Sequence, residues 1–196
     1  MILSYRITLN LLEEGGLEPV ERSGYRVILM DTCFLVKWMS LLPDLSSIEA
    51  VKSSKRIPAI CDFIEEELRH LARPIRSPAE RGAASPPLRW AEFREAVASS
   101  KILIGLDTGA KSLRSLSQLI RSVDKPIRRV IFKQFSGLSA RSNQVDIALI
   151  STAAILARRG VGAGIASIDQ RVLDAVEVLA GEGLDLTPVR RPWQGD

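Results

Sequence analysis

The sequence has few cysteines, a single histidine and no long apolar run. Its 196 residues include only Cys33 and Cys61, each in or beside an apolar stretch, so a disulfide framework is not expected and a reducing cytoplasm is the simpler location. Together with one histidine, His70, they cannot supply the four closely spaced ligands of a structural zinc site. No apolar run approaches the roughly 20 residues that cross a bilayer. Residues 1–9 lack the basic start and the unbroken apolar stretch of a signal peptide, so we expect no membrane partner.

The common phosphate-binding and hydrolase motifs are also missing. The chain has no P-loop, no Gly-x-Ser-x-Gly elbow and no His-Glu-x-x-His pair. Glycines cluster at 160–164, but they precede a predicted strand, whereas phosphate binding needs them between a strand and the helix that follows it.

The rest of the sequence alternates short apolar strands with helical patterns. At 46% hydrophobic content the chain can bury one sizeable core. Alternation of this kind predicts a three-layer α/β/α sandwich with a central, mainly parallel sheet. We expect strands at 26–31, 163–168 and 184–189 to form the centre of that sheet.

Two additions to this domain are expected. Residues 1–22 read as an extension containing a strand, with a hairpin as one option. The domain itself would span 23–196, with an insertion at about 73–100 that begins as a basic, proline-rich loop.

The remaining elements follow from hydrophobic periodicity and from turn residues. Val130 and Phe132 alternate with Arg129 and Lys133, which predicts a basic strand or hairpin arm over 127–135. The other predicted elements are a strand or the start of a helix at 57–60, a strand at 101–106, a loop at 136–143, and helices at 34–42, 48–51, 61–72, 88–98, 110–122, 145–157 and 170–180.

Two carboxylates follow apolar strands. Asp31 ends the run 25–30, and Asp169 ends the run 164–168. Either could simply cap the next helix, as an aspartate after a strand often does. As a pair, however, they would meet at the carboxyl edge of a parallel sheet, where such folds bind ligands.

Two further acids are candidates for the same edge. Asp146 lies in the first turn of the most apolar helix, where the helix dipole alone could explain it, yet a carboxylate among apolar neighbours needs a partner. On the predicted helix 61–72, Glu65 should pair with Arg69, Glu66 should face solvent, and Glu67 borders the buried stripe.

Four carboxylates in one cleft repel one another unless cations neutralise them. Oxygen ligands without histidine or cysteine select hard ions, so the expected cofactor is Mg²⁺ or Mn²⁺, and a two-ion site would hydrolyse a phosphodiester. The net charge of +4 and the basic clusters suit a nucleic-acid backbone. The residues expected to bind it are Arg128, Arg129, Lys133, Arg141, Arg158 and Arg159.

At these residues the chain resembles the PIN-domain family of nucleases. The resemblance rests on the segments 27–35, 57–58 with 64–68, 146–150 with 153–154, and 165–169 with 172–173. It implies an α/β/α sandwich and a metal-dependent acidic cleft that cleaves single-stranded RNA. The acids would be Asp31, Glu67, Asp146 and Asp169, and the bracing hydroxyls Thr32 and Ser167.

Some residues depart from the family pattern. Cys33 stands where the family usually has serine or asparagine, which weakens a hydrogen bond near Asp31. The spacing from Pro58 is about one helical turn longer than usual, so Glu66 rivals Glu67 as the helix acid. The additions at 1–22 and 73–100 resemble a housekeeping RNA-processing member or an unassigned branch more than a compact toxin.

The sequence therefore predicts a metal-dependent endoribonuclease of the cytoplasm, acting on single-stranded or structured RNA. The main alternative is a catalytically silent PIN-like module that binds RNA or a ribonucleoprotein. A homodimer and an inhibitory protein partner are further expectations. A phosphoacceptor domain modified on Asp31 is disfavoured, because the first strand carries no second acid and no later strand ends in lysine.

Overall fold

The computed structural model of the protein describes residues 5–8, 26–41, 55–71, 104–136 and 143–190. Within these ranges six strands and six helices follow one another. They are β1 (Tyr5–Thr8), β2 (Arg26–Met30), α1 (Thr32–Leu41), β3 (Arg56–Cys61), α2 (Asp62–Leu71), β4 (Ile104–Asp107), α3 (Leu113–Ser122), α4 (Lys125–Gln134), α5 (Gln144–Arg158), β5 (Ala163–Ala166), α6 (Gln170–Gly181) and β6 (Leu186–Val189).

The six strands form one parallel sheet in the order β1-β4-β3-β2-β5-β6. Helices cover the sheet, so the predicted three-layer α/β/α architecture is confirmed. The predicted centre is partly wrong, because β2 and β3 are central and the last strand, β6, lies at an edge. Pro188 suits that position, since proline has no N–H to donate to a further strand.

The inner strands are apolar throughout because both faces of the sheet are covered. In β2 every residue after Arg26 is buried, and all four residues of β5 are buried. Helix α5 packs against β5 and against α3, α4 and α6, which explains why it is apolar nearly all round. The core therefore surrounds β2, β5 and α5. Asp31 directly follows β2, Asp169 lies three residues after β5, and Asp146 lies in the first turn of α5.

The prediction of a basic strand or hairpin arm at 127–135 is wrong, because residues 127–134 belong to helix α4 and Phe135 is its C-cap. The buried residues are Ile127 and Ile131, one helical turn apart, whereas Phe132 is exposed. Pro126 in the first turn favours a helix start. The alternation of apolar and basic residues was coincidental, since a spacing of four residues, not two, defines the buried face.

Within the N-terminal extension the structure describes one strand, and the rest of the hairpin considered from the sequence lies outside the described residues. Tyr5–Thr8 pairs in parallel with Ile104–Asp107 and so adds a strand to one edge of the main sheet. The predictions for 48–51, 73–100 and most of 136–143 fall outside the described residues. Among the helices the structure describes, none has the length and apolar character needed to cross a membrane.

Candidate active site

Asp31 and Asp169 lie at the same edge of the sheet. Strands β2 and β5 are parallel neighbours, with Met30 opposite Ala166, and the Asp31 amide donates to the Ala166 carbonyl at 3.0 Å. Each aspartate follows the last paired residues of its strand. The chain direction of a parallel pair thus brings both carboxylates to the carboxyl edge, where ligands bind in open α/β sheets.

Asp31 is held by two neutral donors on the same oxygen. The Ser167 hydroxyl donates to Asp31 Oδ2 at 2.5 Å, and the Cys33 thiol donates to it at 2.9 Å. Ser167 Oγ in turn accepts a hydrogen bond from the Asp169 amide at 2.9 Å. Burial and the Asp31 charge raise the pKa of Cys33 to about 11, so the thiol keeps its proton as a donor. Oδ1 is the oxygen that this arrangement leaves for a ligand.

The structure distinguishes Glu67 from its neighbours on α2. Thr32 donates from Oγ1 to Glu67 Oε2 at 2.5 Å, which draws this carboxylate toward the end of β2. Glu66 instead pairs with Arg69 and His70 on the outer side of the helix, and Glu65 pairs with Arg69 as predicted. Of these three glutamates, Glu67 is therefore the one directed to the edge that carries Asp31.

Asp146 has the most perturbed carboxyl group at this edge. It lies half-buried in the first turn of α5. Burial, together with the charges of Asp31, Asp169 and Glu67, raises its pKa to about 7, and the charge of Arg171 opposes this rise. Since each of these charges acts on Asp146, the four carboxylates share one region, which we call the acid cluster: Asp31, Glu67, Asp146 and Asp169.

Asp169 differs from the other members because a cationic side chain holds it. It caps α6, accepting from the Arg171 amide at 2.9 Å. The Arg171 guanidinium also donates to both carboxylate oxygens, at 3.2 Å to Oδ1 and 2.7 Å to Oδ2. These hydrogen bonds hold the pKa of Asp169 below its usual value. The capping role considered from the sequence is therefore real, and it coexists with membership of the cluster.

The acid cluster fits a hard divalent cation by its chemistry. Its donors are all oxygen, and Asp146 carries the penalty of three like charges, which a cation would relieve. As they stand, no three histidine, cysteine, aspartate or glutamate side chains of the described segments converge closely enough to hold a metal ion. Arg171 affects metal binding at Asp169, because a cation bound to this carboxylate would have to replace the guanidinium.

A second acidic feature lies on the other side of the same edge. Asp62 follows β3 and is 3% exposed, and its Oδ1 accepts from the Thr108 amide at 3.2 Å and the Thr108 hydroxyl at 2.6 Å. Its Oδ2 is buried with no hydrogen-bond donor among the described residues. Burial raises the pKa of Asp62, and the neighbouring Asp107 raises it further. We call Asp62 and Asp107 the acid pair.

A neighbouring carboxylate acts on Asp62. Asp107 raises the pKa of Asp62 and so favours its protonated form. Asp107 Oδ1 also accepts from the Gly109 amide at 3.1 Å, in a turn that uses the positive φ of Gly109. Thr108 and Gly109 thus donate hydrogen bonds to the two members of the pair.

Sequence reasoning missed the acid pair and Arg171. Asp62 and Asp107 carry the signal that identified Asp31, an acid at the end of an apolar run, but the prediction of a helix over 61–72 assigned Asp62 to a helix start. Arg171 stands two residues after Asp169, a spacing that suits a side chain folding back onto the cap. That signal was available in the sequence.

The predicted nucleic-acid-binding residues divide between two places. Arg128, Arg129 and Lys133 lie on α4, whose Phe132 is beside Gln144 at the start of α5. Arg158 ends α5 and pairs with Asp124 at 3.3 Å. It lies 12 residues beyond Asp146, roughly 18 Å along the helix. Arg159 follows directly, and Arg141 is outside the described residues.

Comparison of the chain with family models, with curated proteins and with solved structures found no match. The resemblance to PIN-domain nucleases therefore stays a prediction from sequence motifs, and the geometry of the acid cluster supplies the evidence on function.

Proposed function

We propose that the protein is a Mg²⁺- or Mn²⁺-dependent endoribonuclease that cleaves single-stranded RNA at the acid cluster. The observation that carries this proposal is the setting of Asp146, whose pKa burial and three neighbouring acids raise to about 7. A fold has no structural need for such repulsion, and perturbed acids of this kind gather at functional sites. A divalent cation is the ligand that would relieve it.

The residues of the cluster have distinct tasks in this proposal. Ser167 and Cys33 fix the orientation of Asp31 through Oδ2, so Oδ1 faces the incoming ligand. Thr32 fixes Glu67 in the same way. The Asp146 carboxyl is protonated in a good part of the molecules near neutral pH and gives up that proton when a cation takes its place.

Asp31, Glu67, Asp146 and Asp169 would hold the ions. The chemistry that such ions supply when bound is polarisation of the phosphodiester, activation of water and stabilisation of the leaving oxygen. Oxygen-only ligation favours Mg²⁺ or Mn²⁺ over softer metals.

A groove between α3, α4 and α5 supports RNA as the substrate. It encloses about 650 Å³ and is lined in part by Arg121, Arg128, Phe132 and Gln144. Phe132 is 44% exposed, which is unusual for a large aromatic side chain. An exposed ring beside two guanidinium groups suits an unpaired base and its phosphates, and the groove reaches the first turn of α5, the turn that carries Asp146.

The two free cysteines, Cys33 and Cys61, fit the reducing cytoplasm, where we place the activity. A second copy of the chain and an inhibitory or ribonucleoprotein partner stay predictions.

Cleavage of single-stranded RNA with and without metal tests the proposal. We expect cleavage with Mg²⁺ or Mn²⁺, none after chelation, and recovery when metal is added back. Binding of RNA without cleavage under every metal condition would favour the silent RNA-binding module instead.

The salt dependence of RNA binding tests the electrostatic part. Replacing Arg128, Arg129 and Lys133 together by alanine should weaken binding across sequences. It should also flatten the slope of log affinity against log salt by up to about one unit for each phosphate that the variant no longer neutralises. Replacing Arg158 and Arg159 by alanine is the comparison, and we expect a smaller change because they lie at the far end of α5. An unchanged slope in the triple variant would remove α4 from the RNA-binding surface.

A further inference from the structure

The members of the acid cluster differ in what holds them. Neutral donors hold Asp31 and Glu67, namely Ser167, Cys33 and Thr32. Within the described residues, Asp169 is the member of the cluster that forms an ion pair, with Arg171 at 2.7 Å. A neutral donor on one oxygen can remain when a cation arrives, whereas the Arg171 guanidinium covers both oxygens of Asp169.

Arg171 already acts as a positive charge for two members of the cluster. It holds Asp169 directly, and its charge also favours the ionised form of Asp146. The guanidinium thus occupies the position and supplies the charge expected of a bound cation. A divalent ion and Arg171 cannot both use the Asp169 carboxylate fully, so binding of one must loosen the other.

A displaced Arg171 would remain at the mouth of the cluster. Its backbone amide keeps the helix cap with Asp169, so only the side chain has to move. That side chain is 45% exposed and can swing outward without unpacking the core. A guanidinium released beside a metal-loaded acidic site has one natural counter-ion, the phosphate of the substrate, which it can bind with two parallel hydrogen bonds.

We propose that Arg171 exchanges partners: it neutralises Asp169 in the metal-free protein and, once a divalent cation takes that carboxylate, binds a phosphate of the RNA. This inference rests on the proposed function, because it names the group that contacts the substrate at the same site. It makes Arg171 a competitor of the metal and a partner of the RNA, two roles that predict opposite effects of one substitution.

The first experiment measures Mn²⁺ binding to the protein without RNA, by calorimetry or by loss of the free-ion electron paramagnetic resonance signal. In Arg171→Ala we expect Mn²⁺ to bind roughly two- to fivefold more tightly, since no exposed ion pair has to be broken. Arg190→Ala is the matched control. Arg190 forms an exposed ion pair of 3.1 Å with Glu177, which lies on α6, the helix that also carries Arg171. It should leave Mn²⁺ affinity unchanged.

The second experiment measures RNA cleavage at saturating Mn²⁺. Arg171→Ala should lower the rate of cleavage of single-stranded RNA by about tenfold or more, because the variant lacks the charge-assisted hydrogen bonds to the phosphate. Arg171→Lys keeps the charge without the planar fork and should recover part of that rate. Arg190→Ala should cleave as the unchanged protein does.

Tighter Mn²⁺ binding together with slower cleavage in Arg171→Ala would support the exchange. Unchanged or weaker Mn²⁺ binding would overturn it and leave Arg171 as a brace of the α6 cap. Tighter Mn²⁺ binding with undiminished cleavage in Arg171→Ala would overturn the proposal that Arg171 binds a phosphate of the RNA. If the unchanged protein cleaves no RNA, the proposed function fails, while the Mn²⁺ titration still tests the competition at Asp169.

Discussion

The acid cluster and the acid pair stand at the same edge of one sheet, but different charges surround them. In the acid pair, Asp107 raises the pKa of Asp62, and the Thr108 amide and hydroxyl hold Asp62. In the cluster, three acids act on Asp146, and an arginine holds Asp169. Under the proposed function, an added cation would stabilise the cluster more than the pair.

The comparison shows that an acid at a strand end is a weak sign of function by itself. Asp31 and Asp62 both follow apolar strands, both are 3% exposed and both accept two hydrogen bonds. They differ in the charges around them, because Asp31 is one of three acids that raise the pKa of Asp146, whereas Asp62 has Asp107 as its charged neighbour. The number of like charges that share a region, and not burial, separates the two.

Substituting one aspartate from each feature should break the comparison most sharply. Asp31→Asn should lower metal-dependent RNA cleavage by about 100-fold or more, because it removes a charged ligand while keeping the shape of the side chain. Asp62→Asn should change cleavage less than about twofold. Rates are measured at saturating metal.

The stability of the same two variants is the control. Without metal, the melting temperature of Asp31→Asn should stay level or rise, since the substitution removes repulsion at the cluster. A marked fall in the melting temperature of Asp31→Asn would show that Asp31 stabilises the fold. Equal loss of cleavage in Asp31→Asn and Asp62→Asn would show that the cluster and the pair form one site.

Two substitutions on α2 test which glutamate belongs to the acid cluster. Glu67→Gln should reduce RNA cleavage by about tenfold or more, because Glu67 is the helix acid that acts on Asp146. Glu66→Gln is the matched control and should cleave normally, since Glu66 pairs with Arg69 and His70. The reverse result would transfer the helix acid to Glu66.

The pH dependence of stability should carry the signature of Asp146. Its folded-state pKa of about 7 lies above the ordinary value of 3.8, so the folded protein binds more protons. The free energy of unfolding without metal should therefore fall as the pH rises from about 4 to 7, by about 2 kcal/mol after allowance for solvent screening. Denaturant titrations across this range measure it.

Two variants test that assignment. Asp146→Asn should flatten the pH profile over the same interval, and Arg190→Ala should leave its shape unchanged. Added Mn²⁺ should stabilise the protein more at pH 8 than at pH 6, because protons compete with the ion. A profile that keeps its slope in Asp146→Asn would assign the titration to another group.

The smallest effect concerns the stability of the acid pair. The raised pKa of Asp62 means that its stabilising contribution is complete below the ordinary aspartate value and is lost as the pH rises through the folded value. Asp62→Asn keeps the acceptor for Thr108, can donate to Asp107 and carries no charge. We expect a gain of about 1 kcal/mol at pH 8 and little change at pH 4, measured by urea unfolding.

Much of the fold and half of the cluster could be predicted from local patterns. Apolar runs predicted β2 and β5, and the acids that follow them placed Asp31 and Asp169 at one edge, because the direction of parallel strands determines which ends meet. The apolar helix 145–157 was predicted within one residue at each end. The amphipathic pattern predicted the wrong element at 127–135, because these few residues fit both the alternation of a strand and the buried face of a helix.

The sequence by itself determined the α/β architecture, the edge at which Asp31 and Asp169 meet and the presence of an acid in an apolar helix, since all three depend on local periodicity. Only the tertiary structure decided that Glu67 and not Glu66 turns to that edge, that Asp62 closes on Thr108 and Asp107, and that Arg171 holds Asp169. Those choices depend on contacts between side chains from different elements, whose distances no spacing along the chain specifies.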